Sequence, residues 1–208
     1  MTTGRIPLSA ERISAKAREL IDEIGLDALS MRRLGRALGY EAMAIYKHVP
    51  DKQALLDLVV SDLYSDMSVP DAAAAWDDRL RHIACELRAM ALASPHMFVR
   101  AITRPPGTPA VTKHVENTLA ALRDSGLNET QVIASFWLFV NTTSGALLAE
   151  TTALTGDAPV GNFDGVDPQE CKALAQFGSA LADCDFAMIY DQGIETLMTT
   201  IAPEASPR

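Results

Sequence analysis

The chain has 208 residues, of which 48% are hydrophobic and 22% charged, an ordinary globular balance with ample material for a core. The N-terminal MTTGRIPLSAERIS lacks the apolar centre of a secretion signal, and Cys85, Cys171 and Cys184 fit neither zinc-ligand nor redox spacing, so they read as buried thiols of a reducing cytoplasm. The formal net charge of −9 hides an asymmetry: residues 1–52 carry nine Lys/Arg against seven Asp/Glu, and the remainder nine against twenty.

Ala and Leu recur throughout and alternating β-branched runs are scarce, which predicts an all-α protein. Ser9 is placed to cap a first helix, with Glu11 in its first turn and Ile13, Ala17, Leu20, Ile21 and Ile24 at helical spacing. Gly25 should end it in a left-handed conformation. Ser30 caps a second helix, MRRLGRAL, and Gly39 supplies a sharp turn. A short third helix covers about 41–48, Pro50 stops it, and Asp51 caps a fourth that runs to about Met67.

The pattern pauses at SVPDAAAA, which sets a division between residues 1–67 and 68–208. Helices are then expected at about 75–93, 95–102, 108–125, 129–154, 168–182 and 184–201. Ser94–Pro95, RPPGTP, Ser125–Gly126 and the long loop TGDAPVGNFDGVDP separate them. That loop reads as a mobile segment or a cover. Residues 131–149 run without a charge, close to the length of a membrane span. Interrupting polar residues and acidic flanks favour a buried or interface helix instead, with no membrane involved.

Two helices joined through a Gly turn, the second of them short, form a helix-turn-helix, whose second helix enters the DNA major groove. Gly35 and Ala37 are small where the helices must approach, and Leu34, Leu38, Ile45 and Val49 can face inward. Ala42, Met43, Ala44, Tyr46, Lys47 and His48 then point outward. Ser30, Arg32, Arg33, Tyr46, Lys47, His48 and Lys52 suit phosphate contacts, which fix register. Ala42, Met43 and Ala44 suit thymine methyls, and Glu41 either a cytosine amino group or the helix N-terminus.

The stretch LSMRRLGRALGYEAMAIYKHVPDKQALLDLVVSDL resembles the DNA-binding domain of the TetR family of transcriptional repressors. Gly39, Tyr46, His48, Val49, Lys52, Leu55 and Leu56 carry the likeness. The segment TRPPGTPAVTKHVENTLAALRDSGL, with the apolar helix and GALLAE after it, most resembles the tetracycline-repressor branch. The chain departs from the family pattern at Tyr40, which should pack in the core, and at Lys47, in place of an aromatic. Arg100 stands where that branch has a metal-holding His, which argues against a metal-dependent pocket.

The resemblance implies a cytoplasmic homodimer, paired through helices near 129–154 and 184–201, that is released from palindromic operator DNA by a small-molecule effector, without cofactor or metal. Met90, His96, Phe98, Arg104, Trp137, Asn141 and Glu150 are the candidate effector contacts. Core packing competes for Met90 and Phe98, and pairing with backbone or Arg competes for Asn141 and Glu150. Two other classes stay open: a helical small-molecule-binding protein that does not read DNA, and a helical enzyme, although no catalytic motif is present.

Overall fold

The computed structural model describes residues 7–105, 107–155 and 167–202. These form ten α-helices and no strand: α1 Ala10–Ile24, α2 Met31–Leu38, α3 Ala42–Tyr46, α4 Lys52–Ser65, α5 Trp76–Ala93, α6 Pro95–Thr103, α7 Pro109–Asp124, α8 Glu129–Leu154, α9 Lys172–Ala182 and α10 Phe186–Ile201. Side-chain caps explain several starts. Ser9, Ser30, Asp51 and Asp185 each accept a backbone N–H of their helix's first turn. Asn128 and Gln131 make a reciprocal capping box on α8. Gly25 ends α1 with φ 79° but ψ 159°, so it needs glycine without being the left-handed cap expected. The cover expected from the 155–168 loop falls on residues 156–166, outside the described residues.

The helices group into two compact units. One runs up to Ser68 and takes in Ala93–Glu116; the other comprises Val69–Leu92 and the described residues from Asn117 onward. The break after Ser68 falls at the pause in the pattern. Nothing in the local sequence signals that α6 and the first half of α7 join the first unit.

In the first unit, Ile13, Ala17 and Ile21 of α1 are fully buried, as are Leu34, Ile45, Leu55, Val59 and Val60. Met97, Phe98 and Ala101 of α6 complete that core. Polar fasteners sit at its margin. Arg18 of α1 donates from Nε to Ser94 Oγ (3.0 Å) and from Nη1 to Asp66 (2.8 Å). Arg100 of α6 pairs with Asp57 of α4 at 2.5 Å. Tyr64 and His114 meet edge to face, ring centroids 5.2 Å apart.

In the second unit, α8 packs on α10. Phe139, Thr143, Leu147, Glu150 and Thr151 form its buried stripe. The two Thr hydroxyls are satisfied by carbonyls four residues back, at 2.8 Å each. Glu150 accepts both Nε and Nη2 of Arg88 (3.0 and 2.6 Å), a bidentate pair joining α8 to α5. Tyr190 of α10 donates to the Ala84 carbonyl (2.7 Å), and Arg81 grips Glu195 with two bonds (2.8 and 3.0 Å). Cys85 and Cys171 are exposed and Cys184 half-buried, correcting the expectation of buried thiols. Cys85 lies on the open side of α5, and Cys171 just precedes α9.

Burial pushes the His114 imidazole down to about 4 from its ordinary 6.5. The folded chain therefore holds a neutral ring where the unfolded chain takes up a proton. Stability from this group is complete above about 6.5 and is lost as the pH falls towards 4. Urea unfolding at pH 7.5 and 5.0 should show a loss on the order of 1–2 kcal/mol from His114 at the lower pH. His114→Phe should remove that part of the loss; an equal loss in wild type and variant would refute it.

Candidate nucleic-acid interface

The α2–α3 connection is fixed by two glycines. Gly39 adopts the left-handed conformation, φ 76° and ψ 28°. Its N–H bonds to the Arg36 carbonyl (3.1 Å), while Tyr40 N–H bonds to the Gly35 carbonyl (2.9 Å), closing a Schellman motif. At Gly35 a Cβ would lie 2.7 Å from the Tyr40 carbonyl oxygen and 3.2 Å from the Ala42 amide. The obstructing atoms are backbone, so no side-chain adjustment would relieve the clash. Ala37, expected to share this role, is exposed on the other side of α2.

This close approach sets the direction of α3. Ile45 is fully buried and Val49 nearly so, which locks one face of α3 and its following turn to the core. Met43 is 73% exposed and Tyr46 41%, with Glu41, Lys47 and His48 also exposed and Ala42 and Ala44 half-buried. Arg32, Arg33 and Arg36 are exposed on α2. Tyr40 is half-buried and not a full core residue, because its carbonyl, not its ring, is what the turn holds against Gly35.

Several of these groups already have partners. Ser30 Oγ accepts the Arg33 amide (3.2 Å), leaving its hydroxyl hydrogen to donate outward. Arg33 Nη1 donates to the Ala28 carbonyl (3.0 Å). Glu41 precedes α3 without a side-chain capping bond. Glu11 of α1 is held below the usual carboxylate range, chiefly by its backbone N–H, then by Ser9 and also by His48. Lys52 also has partners within the fold. Its ammonium donates to the carbonyls of Leu29 (2.8 Å) and Leu26 (3.3 Å), so it pins the α1–α2 loop to α4 before it offers charge to a phosphate.

The seven candidate effector contacts divide between the two units. Phe98 is buried in the core of the first unit, where His96 is half-buried and Arg104 exposed at the end of α6. Met90 is buried in the core of the second unit, and Glu150 is engaged by Arg88. Trp137 (57% exposed) and Asn141 lie on the face of α8 opposite the buried stripe. Sequence reading missed a groove of about 380 Å³ between α5 and α10, lined among others by Cys85, Arg88, Leu92, Tyr190 and Ile194. Only the Arg81 and Arg88 spacing on α5 hinted at it. No group of three or more potential metal ligands occurs among the described residues.

Residues 13–59 match the family model described as "Bacterial regulatory proteins, tetR family", and residues 69–178 match "Tetracyclin repressor-like, C-terminal domain". The chain belongs to the TetR family. It is therefore a DNA-binding transcriptional regulator and not an enzyme. An HTH-type transcriptional regulator of Saccharopolyspora erythraea is 31% identical over 145 residues, 69% of this chain and 61% of that one. This chain thus spans about three fifths of the length of that relative. The tetracycline repressor protein class D of Escherichia coli is 29% identical over 201 residues, covering 92% of this chain and 88% of the repressor. Among solved structures, the TetR family protein ActR of Streptomyces coelicolor in complex with actinorhodin superposes with a TM-score of 0.78. It is 25% identical and covers 96% of this chain and 99% of its own.

Gly35→Ala should cost about 1–3 kcal/mol by forcing the TetR-type turn open, and should abolish sequence-specific DNA binding. Lys52→Met should lose on the order of 1.5–3 kcal/mol with its two hydrogen bonds, whereas exposed Lys47→Ala should leave stability within about 0.5 kcal/mol. Thermal and urea melts of the three variants check this ranking. Equal stability of Gly35→Ala and wild type would refute the close-approach account.

Proposed function

We propose that the protein is a homodimeric repressor that a small molecule releases from a palindromic operator. The observation that carries this reading is the α2–α3 turn, where buried Ile45 and Val49 leave Met43, Tyr46 and Lys47 facing outward together. Residues 1–67 are taken as the DNA-binding domain and 68–208 as the effector-binding and dimer-forming domain. Met43, flanked by Ala42 and Ala44, reads base edges, with Glu41 beside them. Ser30, Arg32, Arg33, Tyr46, Lys47 and His48 hold phosphates. Lys52 acts mainly on the position of α2.

The dimer reading is supported by the one-sided burial of α8. Away from its buried stripe lie Trp137, Leu138 and Leu148, each at least 41% exposed. Gly145 on the same face, and Gly193 on α10, have open space where a Cβ would stand. Such a surface suits close packing against a second copy. Trp137 and Asn141 are accordingly assigned to the subunit interface in preference to the effector. A twofold dimer would set half-sites about 34–36 Å apart, or a multiple of this. The effector is expected to favour the dimer geometry that does not fit DNA, by a coupling of about 1–3 kcal/mol. ActR has been solved with actinorhodin and with (S)-DNPA, which supports a small-molecule effector here. The cytoplasm, where operator DNA resides, is the proposed site of action.

A gel shift with DNA from upstream of its own gene, titrated with salt, tests the reading, alongside light scattering. The wild type should be a dimer, and Lys47→Ala should weaken binding to all sequences and lower the salt slope by about one. Leu148→Glu should give a helical monomer with greatly reduced operator affinity. A monomeric wild type, or one that prefers no duplex, would overturn the proposal.

A further inference from the structure

The three arginines of α2 are not equivalent. Gly35 faces α3, because a Cβ there would meet the Tyr40 carbonyl and the Ala42 amide. At about 100° per residue, Arg32 lies about 60° round the helix from Gly35, Arg36 about 100° and Arg33 about 160°, all on one side. The buried Met31, Leu34 and Leu38 lie on the other side. Arg36 therefore points most directly away from the core, and it stands nearer to α3 than Arg33 does. Met43 and Lys47, four residues apart, point away from the same core on α3 and its last turn, opposite buried Ile45. Arg33 gives its Nη1 to the Ala28 carbonyl (3.0 Å). Arg32 and Arg36 are exposed and make no ion pair among the described residues. The positions one turn from Arg36 are Arg32, Arg33, Gly39 and Tyr40, so no carboxylate on its own helix faces it. Like charges four residues apart, such as Arg32 and Arg36, disfavour a free helix. The Arg36 carbonyl accepts the Gly39 N–H (3.1 Å), which holds its backbone in the α2–α3 turn.

We propose that Arg36 is a further DNA contact, and that its guanidinium clamps a backbone phosphate beside the groove that α3 enters. The proposal rests on the regulator reading above. A guanidinium presents two parallel N–H donors to the oxygens of one phosphate, a geometry that an ammonium does not offer. Because the Arg36 backbone belongs to the turn, a phosphate held there fixes the tilt of α3 in the groove. The contact carries no base information and acts on position. Binding also relieves the repulsion between Arg32 and Arg36, since phosphate charge then lies against both. A cation in the last turn of α2 also suits the helix dipole. That role would show in stability, whereas the clamp shows in salt dependence and dissociation.

The test uses the full chain and a fluorescent duplex that the protein itself selects from a random pool, titrated at several salt concentrations. Arg36→Gln should bind about tenfold more weakly at low salt, to the selected duplex and to an unrelated one alike. Its salt slope should fall by about one per subunit. Its melting temperature should stay within about 2 °C of wild type. Arg36→Lys should keep the slope but dissociate faster, because the fork is lost. Lys172→Gln on α9 makes the same change in net charge outside the first unit and should leave slope and affinity as they are. An unchanged slope in Arg36→Gln overturns the proposal, as does an equal fall in Lys172→Gln. Should Arg36→Gln melt well below wild type, Arg36→Lys decides, and a dissociation rate equal to wild type then overturns the clamp. A wild type that selects no duplex overturns the regulator reading itself, and this proposal with it.

Discussion

The carbonyl of Tyr40 passes so near to Gly35 that no side chain fits between α2 and the residue opening α3. Everything the first unit presents outward follows from that contact. With Gly39 in the left-handed region, the chain reverses within a few bonds, and the helical phase of α3 is set before any of its own side chains pack. Ile45 and Val49 then only confirm a direction already imposed by backbone. A five-residue helix has too few hydrogen bonds to hold itself, so its order is borrowed from this turn.

The distribution of cations follows the same division of labour. Arg18, Arg79, Arg81, Arg88 and Arg100 are all engaged with carboxylates, and each ties two helices of its own unit together or closes a turn. Arg32, Arg36 and Lys47, on or beside the α2–α3 pair, make no ion pair among the described residues and stand in solvent. An acidic chain thereby keeps a locally basic surface, because these other arginines are neutralised by carboxylates within their own units. Surface charges of this kind add little to stability. Their use lies in what they attract.

Much of this was legible in the sequence. Caps at Ser9, Ser30 and Asp51, and breakers at Gly39, Pro50 and Ser94–Pro95, put the helices close to where they lie, since those signals act within a turn. The outward set on α3 was legible because Ile45 and Val49, four residues apart, are the large aliphatic side chains there. Less could be read where partners come from far along the chain. Lys52 looked like a phosphate contact because nothing near it shows that Leu26 and Leu29 lie within reach. For Glu150 pairing with an Arg stood beside a ligand role, and the sequence could not point to Arg88, 62 residues away. The return of α6 to the first unit depends on the same kind of remote pairing, through Ser94 with Arg18 and Arg100 with Asp57.

Helix α8 combines the length and apolarity of a membrane span with a polar buried stripe. Among the described residues it is long and apolar enough to cross a bilayer. Yet its buried stripe holds Thr143, Glu150 and Thr151, and the bidentate pair to Arg88 draws a charged residue of α5 against it. In lipid such a pair would be costly unless enclosed by further helices. Further apolar residues, Trp137, Leu138 and Leu148, lie on the exposed side, mixed with Asn141 and Gly145. Small and polar groups among large apolar ones let two backbones come close while hydrogen bonds remain available. An uninterrupted lipid-facing surface would need neither. One face of the helix is covered by its own chain, and the other is the face that the proposal above assigns to a second copy.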